Sequence, residues 1–464
     1  MRTTLVKDIL LMPPVILWFR RNLRLADNAA LLAAAESGQP VIPLYIADGQ
    51  DEGTASRWWL HHSLSNLDKD LRKLGVALVL RSGPPHVVLD ELSRETGATA
   101  VYFARRYEPE SRRQQDDVGD TLGSHLDLHC YNDSLLHVPE SVSTQAGNPY
   151  RVFTPFWNAA RSLGEPDVPS PAPHTVRAFD PLPESLSIDE LELLTDAVDR
   201  YDGYANVWTP GERGALERID DLESLLGNYV TSRDRPDKDA TSRLSPHLCF
   251  GEVSVRQVWH ATLQAGASAS SAAGGEALLR QLYWRDFSSY LLFHFPDLPH
   301  KPLRPEFEHF PWSVDESQLH AWQEGMTGYP VVDAGMRQLR ETGWMHNRVR
   351  MIAASFLIKD LLVPWQIGAD WFLDRLVDAD LANNSASWQW VAGCGTDAAP
   401  YFRVFNPTLQ GKKFDPQGSY VRRWVPEVSA SAYPAPIVDH GEARRRALDA
   451  YDSIKGMRTS KQAP

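Results

Sequence analysis

Apolar and polar positions alternate in blocks through the first hundred residues. Val15 to Phe19 reads as a buried strand, and Asp27 or Asn28 caps a following helix rich in alanine and leucine. Val41 to Ile46, Val76 to Leu80 and Ala100 to Phe103 are further strands, with helices near Ser56–Leu74 and His86–Thr96 between them. Strand–helix alternation of this kind predicts a doubly wound, Rossmann-like parallel sheet, an α/β domain. No G-x-G-x-x-G follows the first strand and there is no P-loop, so nothing indicates NAD binding or nucleotide hydrolysis. Arg20, Arg21 and Arg24 fall just beyond the first strand, at the edge where such sheets bind ligands. They are read as surface charges, with ligand contact as the alternative.

From Pro139 to about Gly203 the pattern dissolves into proline, serine and acids (PSPAPHTVRAFDPLPESLS). Turn chemistry dominates there, which predicts an interdomain connector in which only Tyr150 to Arg161 is ordered, docked on one domain. Thr209-Pro210-Gly211-Glu212 then signals a helix start, with Thr209 as cap. Helical spacing continues almost to the end, with no convincing strand. The expected organisation is an α/β domain over 1–138, a connector over 139–203 and an all-α domain over 204–464.

Composition narrows the picture. The chain has 464 residues, 43% of them hydrophobic and 23% charged, as ordinary globular proteins do. A formal charge of −13 argues against a surface that attracts nucleic acid everywhere, but leaves room for a local basic groove. Three scattered cysteines show neither a disulfide framework nor a zinc spacing, pointing to a reducing compartment. No run of eighteen apolar residues appears, and Lys7 and Asp8 interrupt the N-terminal stretch where a signal peptide needs apolar residues. The expectation is a cytoplasmic protein.

Candidate chemistry concentrates in the second half. The segment DADLANNSASWQWVAGCGTDAAPYFRVFN, from Asp378 to Asn406, mixes acids, adjacent amides, two tryptophans and an arginine without the spacing of a core helix. It suits the wall of a pocket for a large, flat, polar-edged ligand; a polar interdomain loop is the plainer reading. Thr241-Ser242-Arg243-Leu244-Ser245-Pro246 is a hydroxyl-rich turn into a helix, fit for phosphate or for simple capping. On a helix expected from Trp344 to Leu362, Met345, Val349, Ile352 and Phe356 form a buried face. Trp344, Asn347, Arg348 and Met351 form a neighbouring face that reads as pocket lining. Arg350 points elsewhere and is positioned to pair with Asp378. Gln281, Trp284 and Arg285 make a second such face. Basic residues cluster at Arg233 and Arg235, at Arg403, and at Lys412, Lys413, Arg422 and Arg423. Gathered around one cavity they would hold a phosphate backbone while Trp284 stacks on a base; scattered, they are surface charge.

These residues are similar to those of the DNA photolyase/cryptochrome family, and the chain resembles its class I cyclobutane pyrimidine dimer photolyases. The resemblance is carried by WFRRNLRLADN, TSRLSPHLCFGEVSVRQ, YWRDF, WQEGMTGYPVVDAGMRQLRETGWMHNRVRM and DADLANN…WQWVAGCGTDAAPYFRVFNPTLQGKKFD. It implies an α/β antenna domain and a helical domain holding a U-shaped FAD. By motif, Tyr229, Thr241, Ser242, Arg243, Leu244 and Ser245 would hold the FAD phosphates and ribityl chain, with Arg285 and Trp344 also at the cofactor. Arg350, Asp378, Asp380 and Asn384 would surround the isoalloxazine, Asn384 facing its reactive nitrogen. Gln281, Trp284, Asn347, Arg348, Met351, Trp390 and Gln410 would meet a flipped-out dimer in UV-damaged DNA, with Arg233 and Arg403 near the strand. Trp388, Trp365 and Trp312 match the electron-relay tryptophans. The reaction implied is light-driven electron transfer, with no metal, in a monomer that needs no protein partner and no membrane.

The sequence departs from the pattern in places. Gln281 stands where this class usually has a glutamate; six-four photolyases and animal cryptochromes resemble this sequence at that glutamine. Asn347 and Met351, where those proteins carry histidine, return the reading to cyclobutane dimers. Repair is therefore the leading expectation, with a cryptochrome photoreceptor or a six-four photolyase as alternatives. A second, antenna chromophore, a deazaflavin or methenyltetrahydrofolate, stays unassigned. The glutamate associated with folate binding is not evident after Tyr107-Glu108-Pro109. Cys249 replaces the lysine of deazaflavin-type members, and Arg57 fits a deazaflavin site.

Overall fold

A computed structural model describes residues 12–49, 53–194, 201–397 and 402–455. Five parallel strands, β1 (Val15–Phe19), β2 (Val41–Ala47), β3 (Val79–Ser82), β4 (Ala100–Ala104) and β5 (Asp127–Tyr131), lie in the order β3-β2-β1-β4-β5. Four helices connect them: α1 (Ala29–Glu36), α2 (Thr54–Lys73), α3 (Pro85–Thr96) and α4 (Pro109–Leu122). The central strand VILWF is buried throughout, as a strand covered on both faces must be. Its side chains alternate between two cores: Val15, Leu17 and Phe19 join one, Ile16 and Trp18 the other. Asn28, rather than Asp27, caps α1 through Leu31 N–H. The third strand begins at Val79, where its register with Leu44 starts, rather than at Val76. Strand β5 escaped the sequence reading because DLHCY is a short, largely exposed edge in which only Leu128 and Cys130 alternate with polar residues.

The arginines beyond β1 are not surface charges, as the sequence reading expected of them. Arg20 is buried against Trp18 and donates to Gln115 at 2.6 Å and Gln114 at 3.1 Å on α4. Arg24 is 1% exposed and donates to the Asp133 carboxylate at 2.7 Å and the Gly251 carbonyl at 3.0 Å. Polar residues this deep persist only when their hydrogen-bonding capacity is met, and here both halves of the chain supply the partners.

The connector is more ordered than its composition implies. Helix α5 (Phe153–Ser162) packs into a core of the helical half, while Val176 and Leu193 pack into a core of the sheet half. Helices then follow to the end of the described residues, with no strand among them. Those used below are α6 (Glu212–Asp220), α7 (Tyr229–Ser232), α8 (Ser245–Phe250), α9 (Val255–Ala265), α10 (Ala272–His294), α11 (Asn347–Ser355), α12 (Trp365–Arg375), α13 (Leu381–Ala392), α14 (Pro407–Phe414) and α15 (His440–Ile454). The expected cap Thr209 is displaced: α6 starts at Glu212 after Gly211, and Glu212 uses its carboxylate to accept Leu25 and Ala26 N–H at 2.7 and 2.9 Å.

A continuous polar seam joins the two halves. Arg256 on α9 pairs with Asp27 through two nitrogens at 2.9 and 3.0 Å, and Trp59 on α2 donates to Glu252 at 2.9 Å. Gly251, which ends α8 at φ 66°, lies so close to the Arg21 carbonyl that an added Cβ would collide with backbone. Gly251→Ala is therefore expected to lower stability by about 2 kcal/mol or more in thermal unfolding. Unchanged melting would show that the seam yields.

Candidate functional site

Helices α10, α11 and α13 and the turn before α8 carry the residues that the sequence singled out. Helix α11 is shorter than expected. It begins at Asn347, with His346 as cap, so Trp344 lies before the helix. Trp344 packs into the core of the sheet half, within ring contact of Trp208 at 6.3 Å. Val349, Ile352 and Phe356 are buried as expected, but the far end widens into a π-helical turn, Phe356–Asp360.

Arg350 and Asp378 meet as the spacing suggested. One Arg350 nitrogen lies 3.0 Å from both carboxylate oxygens, and another donates to the Met345 carbonyl at 2.7 Å. Two residues further on, Asp380 caps α13 by accepting the Asn383 backbone and side-chain N–H groups at 2.7 and 2.8 Å. The Asn384 amide donates to the Ala369 carbonyl at 3.0 Å, and its own carbonyl oxygen has no partner among the described residues.

The turn from Thr241 to Ser245 holds Arg243 at φ 52°, its guanidinium 5.4 Å from the Trp344 ring and 5.9 Å from that of Trp208. Thr241 and Ser242 are half-buried, and neither their hydroxyls nor that of Ser245 bond to any described residue. Leu244 is buried. The hydroxyl of Tyr229, a buried residue of α7, also has no partner among the described residues. Hydroxyls left unpaired beside a short helix start fit the oxygens of a diphosphate or a polyol.

The residues expected to face DNA form a chain across four elements. Arg233, just after α7, donates to Gln281 on α10 at 2.9 Å. The adjacent Asp234 accepts from Arg348 on α11 at 2.7 Å, and Arg348 sits 4.4 Å from the Phe414 ring on α14. Gln410, one turn before Phe414, shares its face; Asn347 and Met351 stand one turn apart on α11. Trp284 and Trp390 sit on α10 and α13, which pack together. Trp284 stacks face to face on Phe153 of α5, ring centres 3.7 Å apart, and Trp390 donates to the Asp397 carbonyl at 3.0 Å. Phe153 was missed in the sequence because α5 sits in a connector, with no pattern linking it to a residue 131 positions on. Arg403 lies apart from this chain, on another recess beside Trp390.

Trp388 and Trp365 are buried, and Trp312 packs against the same core. Gly368 on α12 leaves room for the Trp388 ring, which a Cβ there would strike. Trp312 packs on Phe310 at 4.2 Å, next to a backbone bond from Ser313 to Leu362 at 2.9 Å.

Arg285 donates to the Ser134 carbonyl at 2.7 Å and, with Asp380, lines a cleft of about 420 Å³ facing Arg106 and Glu108 of the sheet half. Burial opposes ionisation of Glu108, but the neighbouring Arg106 guanidinium holds it down at about 2. Among the described residues no cluster of acids, histidines and cysteines is arranged for a metal.

Comparison with known proteins agrees with this architecture. The family model "DNA photolyase" matches residues 15–174, and "FAD binding domain of DNA photolyase" matches 278–431. The chain is 47% identical to the deoxyribodipyrimidine photo-lyase of Agrobacterium fabrum, over 95% of this chain and 98% of that one. It is 35% identical to cryptochrome-1 of Arabidopsis thaliana, over 97% of this chain but 71% of that one. The solved bacterial class III photolyase of Agrobacterium tumefaciens superposes with a TM-score of 0.92 at 46% identity, covering 96% of this chain and 98% of that one. The chain belongs to the DNA photolyase/cryptochrome family, and FAD is its cofactor. Higher identity to the photolyase than to the cryptochrome sets it among the family's enzymes. The solved relative's class, III, differs from the class I resemblance of the motifs. The FAD-binding match starts after the Thr241–Ser245 turn, so that turn's part rests on its unpaired hydroxyls.

His346 gives the site a pH limit. Its Nδ1 accepts Arg348 N–H at 3.2 Å, which requires a neutral ring, and burial pushes its pKa down to about 4. The neutral form is favoured by folding. Stability is therefore complete above the unfolded value of about 6.5 and falls as pH drops from there towards 4. His346→Asn, which also caps, is expected to recover roughly 1–3 kcal/mol of that acid loss in melts at pH 5 against pH 7. Equal acid sensitivity in both proteins would contradict this.

Proposed function

We propose that this protein repairs cyclobutane pyrimidine dimers in UV-damaged DNA in a light-driven reaction, as a deoxyribodipyrimidine photo-lyase. The observation that carries the reading is the chain Gln281–Arg233–Asp234–Arg348 beside Trp284 and Trp390. It sets two cations, an amide and two flat rings on the half of the chain that holds FAD. When bound, reduced and excited by blue or near-UV light, FAD supplies the electron that opens the cyclobutane ring and takes it back.

The remaining work falls to the protein. Arg233, Arg348 and Arg403 attract the strand by charge. Trp284, held flat by Phe153, offers its other face to an unstacked base. Gln281 donates through its amide to a pyrimidine carbonyl while its oxygen keeps Arg233 in place; a glutamate there would form an ion pair with that arginine. Asn347 and Met351 line the same face. Arg350, Asp378, Asp380 and Asn384 hold the flavin ring, with Trp344 and Arg285 at its edges and Tyr229 and the 241–245 turn at its phosphates and ribityl chain. Trp388, Trp365 and Trp312 carry electrons inward from the surface to restore the reduced cofactor.

The interdomain cleft between Arg285 and Glu108 is the place we assign to a second chromophore, its identity left between a deazaflavin and methenyltetrahydrofolate. A cryptochrome-type photoreceptor is the second reading. The higher identity to the deoxyribodipyrimidine photo-lyase of Agrobacterium fabrum, 47% against 35% for cryptochrome-1, supports repair instead. Asn347 and Met351 likewise support cyclobutane over six-four lesions.

Illuminating the reduced protein with dimer-containing oligothymidine is expected to restore the ultraviolet absorbance of intact thymines. No recovery in light would remove the repair reading, and recovery only with six-four lesions would replace its substrate. Trp388→Phe is expected to slow photoreduction of oxidised flavin at least tenfold while sparing repair by pre-reduced enzyme. Equal photoreduction rates would remove the relay assignment.

A further inference from the structure

Arg233 and Arg348, two of the cations assigned to the DNA strand, share one carboxylate. Asp234 accepts from Arg348 at 2.7 Å and lies 4.0 Å from the nearest Arg233 nitrogen. The Arg348 side chain meets no second acid among the described residues. It rests on the Phe414 ring at 4.4 Å, and its buried Nε has no partner. Arg233 donates to the Gln281 side chain at 2.9 Å. Two guanidinium groups and one carboxylate leave the cluster with half the positive charge of its arginines.

Asp234 is within reach of a ligand on this face. Its side chain is 41% exposed, against 8% for Asp237, the next acid along the chain. Both Asp237 oxygens are held by Arg235, at 2.6 and 2.8 Å, so that pair is closed. A phosphate approaching Arg348 or Arg233 meets the Asp234 charge at the same place and must take an arginine from it. An exposed ion pair is weak enough for that exchange to be reversible.

We propose that Asp234 sets the preference of this face for a lesion over ordinary DNA, by competing with backbone phosphate for Arg233 and Arg348. The inference rests on the reading of dimer-containing DNA as substrate. An undamaged strand is held by charge, so it binds here by parting the arginines from Asp234. A flipped-out dimer meets the cluster as it stands. Gln281 keeps its oxygen on Arg233 and turns its amide to a pyrimidine carbonyl, while Trp284 and Trp390 add contacts that carry no charge. Discrimination comes as much from what repels the wrong ligand as from what holds the right one.

The test uses the full-length, flavin-loaded protein in the dark with two oligothymidylates, one undamaged and one carrying a single dimer. Affinity is measured over a salt series. Asp234→Asn is expected to bind the undamaged strand roughly 3–10-fold more tightly at about 0.1 M salt, with a slope steeper by about 0.7, as one added phosphate contact gives. Its affinity for the dimer strand is expected to change by less than about twofold, so the ratio of the two affinities falls. Asp234→Glu, which keeps the charge, is expected to keep the parent's slope and ratio. An undamaged-strand slope in Asp234→Asn equal to the parent's would overturn the proposal, as would equal tightening on both strands. Weaker binding of both strands would mean that Asp234 serves to hold the arginines in place, and would overturn it too. A parent that neither prefers the dimer strand nor repairs it in light would sink the repair reading. The undamaged-strand slope would then decide by itself whether Asp234 competes with phosphate.

Discussion

The Arg350–Asp378 pair is the contact on which the helical half is assembled. Arg350 reaches from the first turn of α11 to the segment that leads into α13, and its second bond, to Met345, fixes the approach to α11. Asp378 is 4% exposed and Arg350 22%, so the attraction is only partly screened by water. The elements it joins carry Asn347, Arg348 and Met351 on one side, and Asp380, Asn384, Trp388 and Trp390 on the other. A shift of this contact would move both groups of residues together.

The sheet half acts on that assembly through the buried seam. Arg24 bonds to Gly251, and Arg256 and Asp27 bind each other across the boundary, so the end of α8 is set by residues from the first thirty positions. The turn with the unpaired hydroxyls lies immediately before α8. The edge of the sheet thus positions a turn on the opposite half, which is why WFRRNLRLADN is dense in polar groups yet has little exposed charge.

What the sequence disclosed follows the range of the forces involved. Strands buried on both faces, helix caps such as Asn28 and the Arg350–Asp378 pairing were legible, because periodicity and short-range charge spacing record them. Strand β5 was not, since a five-residue exposed edge carries too short an apolar rhythm. Burial of Arg20 and Arg24 was equally hidden, because their partners Gln114, Asp133 and Gly251 are brought close only by the finished fold. The same holds for Phe153 beneath Trp284 and for the π-turn that buries Lys359. Helical spacing placed Trp344 on α11, but a buried histidine cap starts the helix three residues later.

The central claim is that this clamp builds the flavin cradle, and bound FAD in Asp378→Asn reads it most directly. The variant keeps the shape of the side chain and removes its charge. The account predicts that purified Asp378→Asn retains the parent's fold by circular dichroism and loses FAD affinity by at least tenfold, an effect of about 1.4 kcal/mol or more. A variant that binds FAD as tightly as the parent would contradict it.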